Sequence, residues 1–102
     1  MLFLQISKHT SESCPMHNQN AAKSEKNFNA KIGELLKKYQ IKIVGSWVSI
    51  PEHLKVTVYD AANMEALTKL SMEPEVMDWL GYQTTEIKPV ITIEESIKLV
   101  LK

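Results

Sequence analysis

The side chains of this chain that could do chemistry crowd into positions 8–20, "KHTSESCPMHNQN". That stretch holds the only cysteine, Cys14, two of the three histidines, His9 and His17, and Met16. Thiolate, imidazole and thioether suit soft and borderline transition ions, so His9, Cys14 and His17 form a candidate site for copper(I) or zinc, with Met16 a weaker fourth ligand. Against it, the spacing matches no established zinc signature, and a helical Met16 would point away from Cys14 and His17. A second chemistry rests on the thiol. Proline favours the first helical position, which predicts Cys14 as N-cap and Pro15 as the first residue of a helix. The positive end of that helix, helped by a protonated His17, would favour a nucleophilic or redox-active thiolate. A third reading is inert, with Cys14 a small buried hydrophobe, Met16 a gap filler and the histidines at a wet rim.

Convergence depends on the elements around the stretch. Residues 1–8 alternate with a period of two, Leu2, Leu4 and Ile6 against Phe3, Gln5 and Ser7, which predicts a strand with His9 at its end on the Phe3 side. A long helix to about Tyr39 follows, with Phe28, Ile32, Leu35, Leu36 and Tyr39 at helical spacing and Gly33 inside it, where a missing side chain would allow close packing. Stepping back from Phe28 by sevens reaches Ala21 and then Cys14, with His17 one turn further, so both would look into the protein. Residues 41–50, "IKIVGSWVSI", and 54–60, "LKVTVYD", read as a pair of strands joined by a turn. Asp60 is a candidate cap for a helix carrying Met64, Leu67 and Leu70. Pro74 suits the first turn of a short helix that Gly81 stops. "YQTTEIKPVITI" is the last strand, and its Pro89 argues for an edge or a bulge. Thr92 and Glu95 form a capping box that opens a C-terminal helix.

The order β-α-β-β-α-β plus a tail helix is the ferredoxin-like plan, an α+β fold read as one domain over residues 1–102. The second strand carries apolar residues on both sides, Ile41, Ile43 and Trp47 against Val44, Val48 and Ile50. An antiparallel sheet with one wet face should alternate, so a second copy is expected on that face, with the tail helix as the alternative cover. On the presumed inner face Gln5, Ser7 and His9 follow Phe3, while Lys55, Thr57 and Tyr59 alternate with the apolar set of the third strand. Polar groups converging in apolar surroundings suggest a small-ligand site including Ser7, His9, Cys14, His17 and Tyr59. Trp47, Trp79 and Tyr82 are aromatic core or pocket wall, and His53, in "IPEH", reads as a surface turn residue. Glu94 and Glu95 are adjacent on a helix and diverge, which excludes a paired-carboxylate site.

The bulk numbers narrow the function. With 102 residues, 44% hydrophobic and zero formal charge, the chain has no broad field to draw in nucleic acid or an anionic membrane. All twelve basic residues are lysine, so no forked guanidinium is available for phosphates or base edges. One cysteine, no glycosylation sequon and an opening "MLFLQI" too short for a signal peptide fit a cytoplasmic protein.

The "HTSESCP" turn, "MDWLGYQTTEIKPVITIEE" and the element order make the chain similar to the dimeric α+β barrel superfamily, and within it to a small, poorly characterised family. The resemblance implies two ferredoxin-like domains packed sheet to sheet. Its members include cofactor-free monooxygenases, a lactone isomerase, haem enzymes and ligand-sensing regulators, so the fold alone selects no function, and none of their catalytic motifs is matched. The expectation is a homodimer that binds a small ligand or a soft metal ion near the start of the first helix. The alternatives are an oxygenase- or isomerase-like enzyme using His9 or His17 as proton carrier, and a structural or regulatory dimer without a site.

Overall fold

In the computed structural model, which describes residues 1–101, four strands and four helices follow in the order β-α-β-β-α-α-β-α. The strands are β1 (Leu2–Lys8), β2 (Lys42–Ser49), β3 (Leu54–Asp60) and β4 (Thr84–Val90); the helices are α1 (Gln19–Lys38), α2 (Met64–Ser71), α3 (Pro74–Leu80) and α4 (Ile93–Val100). The strands form one antiparallel sheet in the order β2-β3-β1-β4, the ferredoxin-like arrangement. Pro89 lies in β4, an edge strand, where a missing backbone N–H costs no ladder bond.

Register decides which face each side chain serves. Phe3 pairs with Tyr59, Gln5 with Thr57 and Ser7 with Lys55, and these residues lie on the helix side. There Phe3, Phe28, Leu35, Tyr59, Leu67 and Trp79 form the core, with Phe28 and Trp79 stacked 4.5 Å apart. The presumed inner face is therefore the helix-covered one. Its strong alternation, with Phe3, Ser7, Thr57 and Tyr59 buried, holds it in register, because a slip of one residue would expose all four.

Two helix starts differ from expectation. Asn18, not Cys14, caps α1, its side chain accepting from the Ala21 N–H at 3.0 Å. The preceding residues turn instead. Cys14 O accepts from the N–H groups of both His17, at 2.9 Å, and Asn18, at 2.8 Å, so Pro15 sits in a turn rather than a helix. Asparagine is the better cap, and it sets the boundary. Likewise Asn63, accepting from the Ala66 N–H, caps α2 in place of Asp60, which ends β3. Pro74 opens α3 and Thr92 opens α4 as expected, the Glu95 N–H reaching the Thr92 hydroxyl at 3.1 Å. Gly33 supports no close packing, for a Cβ there would meet only open space.

Among the described residues, two apolar surfaces have no partner. Opposite the helices the sheet presents Leu4, Ile6, Val56 and Val58, flanked by Trp47, which is 61% exposed. The Trp47 indole lies against Gly45, and the absent side chain makes room for it. Helix α4 does not cover this face: it has no buried residue, and Ile93, Ile97 and Val100 along one side of it are all exposed. Among the described residues no helix is long and apolar enough to cross a membrane.

Candidate functional site

The ladder of β1 on β3 runs from Leu2 opposite Asp60 to Lys8 opposite Leu54. Continued by one step, it sets His9 opposite His53. The His9 N–H donates to the His53 carbonyl at 3.2 Å, and the two rings meet edge to face with His53 Nδ1 3.2 Å from His9 Nε2. His53 ends the β2–β3 turn with a φ of 53°, a left-handed conformation that glycine or asparagine adopts more readily. A histidine there costs about 1 kcal/mol in backbone strain. The turns of residues 9–18 bring buried Cys14 against the pair, so that one ligand atom from each of His9, Cys14 and His53 lies within 4.8 Å of the others.

This trio closes one end of a cavity of about 260 Å³. Val48, Ile50 and Leu54 form its apolar side, Trp79 its floor, and Met16, which is mostly exposed, stands at its mouth. The floor is held from beneath. The Trp79 indole N–H donates to the Glu25 carboxylate, its ring stacks on Phe28, and the Lys55 ammonium lies 5.2 Å from both ring centres. Glu25 and Lys55 both line the cavity, yet among the described residues no carboxylate pairs with Lys55. The cavity therefore contains a cation that, among the described residues, faces two aromatic rings and no carboxylate partner.

The residues named from sequence separate. His9 and Cys14 converge. His17 is exposed and outside the trio, because its expected alignment with Cys14 needed a helix that starts only at Gln19. Ser7 is buried and does not line the cavity, accepting from Gln5 Nε2 at 3.3 Å and lying 3.5 Å from the Thr85 hydroxyl. Tyr59 belongs to the core and borders a separate void of about 20 Å³. The residue the sequence reading set aside was His53. The β1–β3 register carried that signal, since pairing the two strands places the residue after Lys8 beside the residue before Leu54.

Burial pushes the Tyr59 hydroxyl up to about 12 from its ordinary value of 10.0. The fold favours the neutral phenol, so this contribution is intact below about pH 10 and is lost between about pH 10 and 12, where the unfolded chain ionises first. At full extent the loss is on the order of 2 kcal/mol. Tyr59→Phe is expected to have a shallower alkaline limb than wild type when urea midpoints are compared at about pH 9 and about pH 11. Parallel limbs would mean that the phenol is not held neutral.

Solved structures with the same architecture show the fold. An uncharacterised NIPSNAP domain protein from Burkholderia xenovorans matches with a TM-score of 0.53 at 11% identity, covering 91% of this chain and 97% of that one. A protein from Agrobacterium tumefaciens matches with a TM-score of 0.51 at 14% identity, covering 91% and 96%. An antibiotic biosynthesis monooxygenase matches with a TM-score of 0.52 at 10% identity, covering 90% and 100%. These likenesses show the ferredoxin-like α+β fold that the element order implies. No curated protein sequence matches the chain. Over its whole length, residues 1–102, the chain belongs to the family described as a domain of unknown function, DUF3303.

Proposed function

We propose that this protein is a single-domain homodimer whose cavity binds a small, largely apolar molecule bearing an acidic head. One observation carries the reading: an apolar hollow of about 260 Å³ contains converging imidazoles at one end and the Lys55 ammonium on its floor. Cavities for drug-sized ligands run to about 300–1,000 Å³, so the occupant is metabolite-sized. Lys55 would meet the acidic group, the paired rings of His9 and His53 would offer a donor or acceptor, and Trp79 would lie against the apolar body. The dimer rests on the uncovered sheet face.

Trp79 reports occupancy directly. Trp47→Phe leaves it as the only tryptophan. Titration of that variant with benzoate and 4-hydroxybenzoate is expected to give a saturable change in Trp79 emission, weakened at least about tenfold by Lys55→Met. A linear response, or equal saturation with and without Lys55, would remove the acidic-ligand reading.

The imidazole pair favours a second reading, an enzyme in which His9 carries a proton at the polar end of the cavity. The monooxygenase among the structural neighbours is consistent with such a use of the fold, but at 10% identity it lends no residue to it.

A further inference from the structure

We infer that His9, Cys14 and His53 form a three-donor site for a thiophilic d10 ion, zinc(II) or copper(I), with its open position facing the cavity. The site goes beyond the small-ligand reading, with which it shares the cavity and the His9 and His53 imidazoles. Its geometry lies close to a coordination sphere. Two imidazole nitrogens bound tetrahedrally to zinc at about 2.0–2.1 Å sit roughly 3.3 Å apart, and a nitrogen and a thiolate roughly 3.5 Å apart. His53 Nδ1 and His9 Nε2 are 3.2 Å apart, and the three ligand atoms fall within 4.8 Å of one another. An ion between them requires the sulfur to close from at most 4.8 Å to roughly 3.5 Å, a shift the turn before α1 can make while β1 and β3, which flank the two histidines, stay in place.

Three further observations support the inference. The trio comes from separate parts of the chain: a strand end, the turn before α1 and the β2–β3 turn, 44 residues apart at the two histidines. His53 occupies a left-handed backbone conformation that asparagine or glycine would fill at lower cost, yet its imidazole is held edge to face against the His9 ring. Met16, though mostly exposed, lines the same cavity, and a thioether there adds a soft donor suited to copper(I). Binding balances simply. The Cys14 thiol releases its proton to solvent as it becomes a thiolate ligand. The imidazole that donates the hydrogen bond moves its proton to its other ring nitrogen and turns a lone pair to the ion.

The test uses full-length, tag-free protein. Zinc(II), and copper(I) under anaerobic reducing conditions, are titrated in competition with a chromophoric chelator, and the ions bound per chain are counted. One ion per chain is expected, with affinity falling as pH is lowered because a proton must leave. Loss of an outer-shell partner costs about 10–100-fold in metal affinity, so loss of a ligand in His53→Asn or Cys14→Ser should exceed about 100-fold. His53→Asn protects the test from misfolding, since asparagine tolerates the left-handed backbone; an unchanged melting curve with lost binding is the supporting result. The two ions are separate arms, and stoichiometric binding of either supports the site. Failure of both to bind, equal binding by His53→Asn, or loss of the ion in His17→Gln rather than His53→Asn would overturn it. Trp79 emission in metal-free protein reads the small-ligand proposal separately, so either can fail alone.

Discussion

Replacing Trp47 with lysine is expected to leave a folded monomer. The indole is 61% exposed on the sheet face away from the helices and lies across Gly45, so within one chain it buries little and its loss costs little stability. Beside it stand Leu4, Ile6, Val56 and Val58, a continuous apolar strip over three strands. A monomer has no use for such a strip, and α4 leaves it open. In a two-fold dimer each surface is used twice, so one substitution removes two tryptophans. An interface tryptophan contributes about 2 kcal/mol or more, and losing two costs about 4 kcal/mol, a factor of roughly a thousand in dissociation constant. Sedimentation equilibrium should find wild type dimeric and Trp47→Lys monomeric at the same micromolar concentration, with matching circular dichroism. Gly45→Ala adds a discriminating arm, because its Cβ collides with the indole and tilts it off the sheet. Association should weaken while the fold stands. A monomeric wild type would end the argument for the barrel dimer.

The elements were legible because each is written in a local code: alternation in β1 and β3, helical spacing through Phe28 and Leu35, Pro74 at a helix start, Thr92 with Glu95 at another. The site was half legible for the same reason. His9 and Cys14 are close in sequence, so a turn sufficed to predict their meeting. Local reasoning then extended α1 backwards through Pro15 to bring in His17, when Asn18 offered a better cap, and His17 lies apart from the other two. His53 was beyond any local rule. Its place beside His9 is a long-range fact of sheet register, and a histidine in "IPEH" reads as an ordinary turn until β1 is laid on β3. The polar residues Ser7, Thr57 and Tyr59 misled in the opposite direction. They alternate as a pocket lining would, but the helices cover them and they serve the packed face.

Phe28→Ala is expected to show that the cavity and the core share a wall. Phe28 is 5% exposed, lies on the inward face of α1, stacks on Trp79 and has the Lys55 ammonium 5.2 Å from its ring centre. Truncating such a residue costs about 3–5 kcal/mol, from lost transfer energy and the void left behind. Domains of this size have only about 5–15 kcal/mol in total, so the melting temperature should fall by roughly 15–30 °C. The loss also reaches the site. Without the ring stacked on it Trp79 loses one of the contacts that hold its plane, and Lys55 loses one of its two aromatic faces. Binding of an aromatic acid, read from Trp79 emission, should therefore fail in Phe28→Ala at temperatures where circular dichroism still reports a folded chain. His53→Asn should behave in the opposite way, with stability kept and metal binding lost, because the half-buried His53 lies outside the core cluster. A Phe28→Ala protein that melts near wild type, or that still binds normally while folded, would separate the cavity from the core and leave Trp79 positioned by something other than this stack.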